Sequence, residues 1–348
     1  MALEHTVISI LIWFGLYLII AISLNLEYGY GGIPNFGRAL AALMGAIAVG
    51  AVVNRILILM FGITGSITTA SGIAKSTINE IIAQNPAVGI GLLLFTLLIS
   101  GILGIVVGAL FILPSAKLES DYLAITLLAI SEVAYMVCYY NTDIMGGYYG
   151  VPTPNVLAFI PGEWKDLVFM CLILLVALVV YFFAERLLNT PYGRLLRATR
   201  ENENVVRAFG KDVMKIRIKT VAVGSGIASM SGALYSFYTG NVSGIVNLFS
   251  RVEWTFFPFL MVLLGGLGNN RGVAVGVLTF VTIRKLLEVY KHEITRFFAL
   301  PFDVNWLQYI LFGVMMLLIL YYRPDGLIKE KPIMTEPIKK LAEKKGQK

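Results

Sequence analysis

The chain alternates long apolar runs with short polar connections. Nine runs stand out, at about residues 7–25, 39–61, 87–112, 121–140, 166–186, 219–239, 254–268, 272–290 and 306–322. Most approach the roughly 20 residues that a helix needs to cross a bilayer core. A helix satisfies its own backbone in hydrocarbon, so runs of this length read as helices. The pattern predicts an all-α polytopic membrane protein with about nine transmembrane helices. Two runs are compromised. The run 254–268 is short and ends in Gly265-Gly266-Leu267-Gly268, and 272–290 is apolar only to Ile283 before it meets Arg284, Lys285 and Glu288. Either is compatible with a broken or re-entrant helix, which sets the range at eight to ten.

Composition agrees with this reading. The chain is 57% hydrophobic and only 14% charged, against about a quarter charged in an average soluble domain. Cys138 and Cys171 both fall inside apolar runs and make no disulfide framework. The first run has no preceding Lys or Arg and no cleavage-like site, so it reads as a span rather than a signal peptide.

The net charge of +7 belongs to topology rather than to nucleic-acid binding, because it is concentrated in two places. Residues 186–219 hold nine basic residues and the segment from Arg323 onward holds eight, together 17 of the 28. Both are expected on the cytoplasmic side. The connections 62–86 and 141–165 carry one Lys each and are expected outside. Five spans precede the first basic segment, which places the N-terminus outside and the C-terminus inside. The chain divides into a transmembrane domain at 1–322, interrupted by a cytoplasmic loop at 187–218, and a basic cytoplasmic tail at 323–348.

That loop contains TPYGRLLRATRENENVVRAFGKDV, residues 190–213. Thr190-Pro191 opens a helix, with Pro at the first helical position. Gly210 fits a helix C-cap and Asp212 an N-cap of the next helix. Between them Leu195, Leu196, Thr199, Val205, Val206 and Phe209 alternate with four arginines. This spells one or two short amphipathic helices. Two readings stand: a basic loop resting on lipid headgroups, or a docking element whose apolar knobs Val205, Val206 and Phe209 fill a partner's groove. In the second, Glu201, Asn202, Glu203 and Asn204 give polar contacts, with Ala208 and Gly210 completing the surface.

Resemblance separates these readings. Gly193, Arg194, Leu196, Arg197, Ala198, Glu201, Glu203, Gly210 and Lys215 follow the pattern of the central loop of the branched-chain amino acid permease family of ABC importers. Four further segments resemble that family in the same order: SLNLEYGYGGIPNFGRALAALMGAIAV, SDYLAITLLAISEV, SGALYSFYTGNVS with MVLLGGLGNNRGVAVG, and YYRPDGL. The Asp-Tyr segment and the Arg-Pro ending resemble the larger of the two paired permeases. The resemblance implies an importer subunit that forms the path for branched-chain or similar amino acids. It also implies that the loop is a coupling helix seated on an ATPase. The implied partners are a second homologous permease, two cytoplasmic ABC ATPase subunits, an extracytoplasmic solute-binding protein and the lipid bilayer of a prokaryotic cell membrane. Where the family commonly has small residues before the loop glycine, this chain has Val205, Val206, Arg207 and Phe209.

Two Gly-rich breaks are candidates for the substrate pathway. In GYGGIPNFG, residues 29–37, Gly31, Gly32, Pro34, Asn35 and Gly37 precede an apolar helix whose N-terminus would suit a carboxylate. Gly265, Gly266 and Gly268 form the second break. Tight helix packing explains the same small residues equally well. Arg38 either faces the pathway, snorkels or neutralises a neighbour. Glu132 reads as a lone carboxylate within a span, either structural or part of a proton relay. Arg284 and Glu288, at i and i+4, are spaced to neutralise each other.

No P-loop is present. SGIAKST, residues 71–77, lacks the glycine directly before Lys75 and falls in a connection expected outside. His5 and His292 are far apart, and no metal cluster or nucleophile–base pair emerges. The chain is therefore expected to bind no cofactor, to leave ATP to partner subunits and not to be an enzyme. An ion-coupled secondary transporter is the alternative, supported only by Glu132 and the broken helices.

Overall fold

The computed structural model describes residues 2–243, 249–291, 293 and 304–330. His292 and residues 331–348 of the expected tail lie outside the described residues.

Each of the nine apolar runs is helical. The first is α1 (Ala2–Leu24), which continues through a π-helical turn, Asn25–Tyr30. The second is α2 (Arg38–Ile47), a π turn (Ala48–Val53) and α3 (Asn54–Met60) in one rod. There follow α5 (Pro86–Ile112), α6 (Ser120–Tyr140), α8 (Gly162–Leu188) and α11 (Val213–Thr239). A π turn (Val252–Phe256) leads into α12 (Phe257–Gly265), then come α13 (Asn270–Val289) and α14 (Val304–Tyr322). Five of these rods, Glu4–Tyr30, Arg38–Met60, Pro86–Ile112, Ser120–Tyr140 and Gly162–Leu188, are by themselves long and apolar enough to cross a membrane.

The helix α11 is the axis of the bundle, packed against α1, α2 and α5. Its middle is small and buried: Gly224, Ser225, Gly226, Ala228, Ser229, Ser231, Gly232 and Ala233. Small residues let backbones touch, which stands in for the hydrophobic effect that lipid removes. A Cβ on Gly232 would sit 1.9 Å from the Ala42 carbonyl, and one on Gly45 would sit 2.0 Å from that of Ser229. Hydroxyls seal the contacts: Ser229 Oγ donates to Ser100 O at 2.7 Å and Ser231 Oγ to Leu16 O at 2.8 Å.

One expectation needs correction. The connection 62–86 is mostly a helix, α4 (Ile67–Gln84), so SGIAKST is mid-helix rather than loop. Ser66 caps its N-terminus, and Ala70, Ala74, Ile78 and Ile82 form a buried stripe at i, i+4 spacing. Its polar composition disguised the stripe. Lys75 Nζ donates to Gly240 O at 3.0 Å, tying α4 to the end of α11. Nearby, α7 (Thr142–Met145) and a two-residue antiparallel pair, β1 (Val151–Pro152) with β2 (Asn241–Val242), complete this end of the bundle. The opposite end carries two short helices, α9 (Pro191–Glu201) and α10 (Glu203–Ala208).

Candidate functional site

The loop between α8 and α11 forms a folded arm. Pro191 occupies the first turn of α9. Asn202 ends α9 and caps α10, its Oδ1 accepting from Asn204 N at 3.0 Å and Val205 N at 3.2 Å. Gly210 takes the left-handed backbone, φ 72°, just beyond α10. Asp212 caps α11 by accepting from Lys215 N at 3.1 Å. That backbone bond, with the Lys215 side chain, holds the Asp212 carboxyl below its usual range.

The inner face of α9 buries Gly193, Leu196 and Thr199. From the same helix, Arg197 lies over the Tyr30 ring at 4.9 Å. Arg200 donates to the Gly29 carbonyl and to Glu330 Oε2, the latter at 2.7 Å. Burial opposes the Arg200 charge, but Glu330 and Glu201 more than offset it and raise its pKa. The α10 helix is held through Glu203, which accepts from Arg217 at 2.5 Å. Arg217 also donates to the carbonyls of Ala116 at 3.0 Å and Leu118 at 2.8 Å. The arm is thus bolted to both the first helix break and the α5–α6 connection.

Its outer surface is apolar in the middle. Phe209 is 79% exposed and Val205 48%, with Ala208, Glu201, Asn202, Asn204 and Gly210 exposed around them. Two residues expected on this surface turn inward: Val206 is 5% exposed, and Glu203 engages Arg217. Sequence reasoning missed Arg197, Arg200, Arg217 and Glu330 as the arm's attachments, because their partners lie up to 171 residues away.

The first break meets the arm directly. Gly32 has φ 67°, and a Cβ there would lie 3.1 Å from Arg200 Cγ, so it faces Arg200 rather than open space. Gly31 packs on the Glu27 carbonyl. Asn35 donates to Glu27 Oε2 at 2.8 Å and accepts from Gly37 N at 2.9 Å, while Pro34 lies between Ile33 and Asn35 in the linker. Asn35 and Gly37 also line a cavity of about 20 Å³ with Leu40, Met44 and Leu127. That holds roughly one water, not a solute.

Arg38 does not snorkel. It is fully buried and donates to Glu27 Oε1 at 2.5 Å, to Ser23 Oγ and to Gly224 O at 3.1 Å. A Cβ on Gly224 would fall 1.9 Å from Glu27 Oε1, so the bare backbone of α11 makes room for the pair. Glu27 was missed because it lies across the break from Arg38, at the polar end of an apolar run.

The second break adjoins the first. Asn25 donates to Asn270 Oδ1 at 2.8 Å and accepts from Gly268 N at 3.0 Å. The two breaks are therefore in direct contact. The glycines here receive protein: Gly265 packs on Gly272, Gly266 on Ile328, and Gly268 on the Glu330 carboxylate. The segment after α14 is pinned by Leu327 N to Leu264 O at 2.8 Å and Ile328 N to Gly265 O at 3.1 Å.

Two charge assignments change as well. Glu132 is not alone but pairs with Arg251 at 3.3 Å. Arg284 pairs with Glu253 and donates to Tyr17 Oη at 2.7 Å, while Glu288 takes Lys285 instead.

A family model for the permease component of branched-chain amino acid transport systems matches residues 6–320. The chain belongs to this permease family. The permease is 60% identical over 331 residues to the probable branched-chain amino acid transport permease protein LivM of Methanocaldococcus jannaschii, covering 95% of each chain. It is 27% identical over 267 residues to the high-affinity branched-chain amino acid transport system permease protein LivM of Escherichia coli, covering 70% of this chain and 58% of that protein. The Salmonella typhimurium LivM is likewise 27% identical, over 273 residues. No solved structure matches the permease significantly. Family and helices together make it a multi-pass membrane protein.

Proposed function

We propose that the permease is one of two homologous membrane subunits of an ATP-driven importer of branched-chain or similar amino acids. It would line the translocation path, receive solute from an extracytoplasmic binding protein and rest on two cytoplasmic ATPase subunits. The observation that carries the coupling role is the arm. It presents exposed Val205 and Phe209 on its outer surface, while Arg200 grips the first helix break from its inner surface. A push on α10 has a short route through α9 to Gly29, Gly32 and the buried Glu27–Arg38 pair. The membrane subunit then supplies the differential binding that links the two access states to the nucleotide cycle.

The basic arm and the segment after α14 sit together, which supports placing both in the cytoplasm and the N-terminus outside. The secondary-transport reading loses part of its support, because Glu132 is not a lone carboxylate but is paired with Arg251.

The test is Phe209→Asp. A carboxylate forced into an apolar groove costs several kcal/mol when it is buried unpaired, enough to strip the ATPases at about 1.4 kcal/mol per tenfold. The variant should insert and fold but lose ATPase co-purification and uptake together. Retention of both would remove the arm from the coupling mechanism.

A further inference from the structure

A cavity of about 430 Å³ lies between the middle of the bundle and the end away from the arm, its walls including Glu132, Tyr135, Phe249, Ser250, Arg251, Glu253 and Tyr309. Ligand sites for small molecules start at about 300 Å³, so it has room for an amino acid where the cavity at Asn35 does not. Glu132 lies 12 residues into α6, a helix that runs Ser120–Tyr140. At 1.5 Å per residue that is roughly 18 Å from its start, near mid-span.

Two ion pairs meet this region, and they differ. Glu253 also lines the cavity, but its partner Arg284 is only 14% exposed and is held by a second bond to Tyr17 and by the Phe257 ring at 5.0 Å. Glu132 and Arg251 sit 3.3 Å apart with side chains 35% and 54% exposed. An open charge pair near mid-span is costly against hydrocarbon and marks a water-filled route or a protein neighbour. The short helical rod Val252–Gly265 also begins here, its N-terminus beside Arg251. Such interrupted helices start where a substrate carboxylate sits in other transporters. A line of tyrosine rings leads outward from the cavity: Tyr135 to Tyr139 at 5.9 Å, Tyr139 to Tyr148 at 5.5 Å, and Tyr148 to Tyr149 at 5.5 Å, with Tyr149 73% exposed.

We propose that Glu132 and Arg251 form a transit site for the zwitterionic head group of an α-amino acid, Glu132 taking the ammonium and Arg251 the carboxylate. This rests on the importer reading above. Phe249 and Tyr135 flank the aliphatic side chain. Without solute the two residues pair with each other. A zwitterion inserted between them replaces one ion pair by two, so charge stays balanced along the route. The self-pairing competes with the solute and keeps the site weak, which suits a position that must release what it binds.

The experiment uses the assembled transporter with Cys138→Ser, Cys171→Ser and Ser250→Cys in this chain. A small thiol reagent should modify Cys at this position several-fold more slowly with leucine present. Neither 3-methylbutylamine, which lacks the carboxylate, nor 4-methylpentanoate, which lacks the ammonium, should protect. Glu132→Gln or Arg251→Gln should each abolish protection and lower leucine uptake by about tenfold or more, the worth of one charge-assisted hydrogen bond. The double variant Glu132→Gln/Arg251→Gln should recover neither. Equal labelling with and without leucine, protection by either analogue, or recovery of uptake in the double variant would overturn the site and leave a structural ion pair. Wild-type transporter that moves no aliphatic amino acid would instead overturn the importer reading. The labelling result is read independently of uptake.

Discussion

Removing one member of the Glu27–Arg38 pair should damage the permease far more than removing both. Both side chains are fully buried, 2.5 Å apart, and the remaining atoms of the pair are largely satisfied: Glu27 by Asn35, Arg38 by Ser23 and the Gly224 carbonyl. Glu27→Gln leaves a buried guanidinium without its counter-charge, and Arg38→Met leaves a buried carboxylate held only by an amide. Each should cost about 3–5 kcal/mol, the usual penalty for stranding a buried charge. The double variant Glu27→Gln/Arg38→Met is neutral and of similar volume. It should recover most of that loss, because desolvation of the pair nearly cancels its attraction. The assay is the unfolding midpoint of the purified chain in a denaturing-detergent titration, with all four proteins of the cycle measured side by side. Single variants that cost less than about 1 kcal/mol would mean that the pair is screened as a surface bridge is. A double variant that costs the sum of the two singles would mean that the side chains act independently. Either result would refute the reasoning.

Other consequences follow from the same geometry. Gly232→Ala should destabilise the bundle by about 3 kcal/mol, the upper end for overpacking, because its Cβ would meet the Ala42 carbonyl at 1.9 Å. Gly72→Ala, in α4 with nothing within 4 Å, should instead stabilise by about 0.5–1 kcal/mol; the two melting temperatures should move in opposite directions. Arg200→Gln removes the grip on Gly29 and Glu330. It should keep the ATPases bound but lower amino acid uptake per ATP by about tenfold, and an unchanged ratio would sever the arm from the helix break. Cys introduced at Asn202 should be labelled only from the cytoplasm and Cys at Thr68 only from outside. The reverse pattern would overturn the sidedness built on charge.

Much of this architecture was open to reading from local signals. The apolar runs are helices because hydropathy and length are properties of consecutive residues. The arm's boundaries at Pro191, Gly210 and Asp212 follow from cap chemistry that acts over three or four positions, and the cap at Asn202, read first as a surface contact, is of the same local kind. The stripe of α4 was equally local, and the polar residues around it hid it.

What needed tertiary structure was the rotation of each helix and the choice of partners. A helix that is apolar on every side does not declare which face is buried. Its few charges find partners by packing rather than by spacing. Arg284 therefore passes over Glu288, one turn away, for Glu253 and Tyr17 on neighbouring elements. Arg38 reaches back across a break to Glu27, in a space that exists only because α11 presents Gly224 there. Asn25 and Asn270, 245 residues apart, join the two breaks, and no local signal pairs them. Glu132, solitary in its own run, acquires Arg251 and a cavity only when α6 is set beside the start of the Val252–Gly265 rod. Apolar length along the chain determines that the protein lies in the membrane. The contacts between helices decide where its charges can survive there, because burying a charge in hydrocarbon is tolerable only where a partner has been brought to meet it.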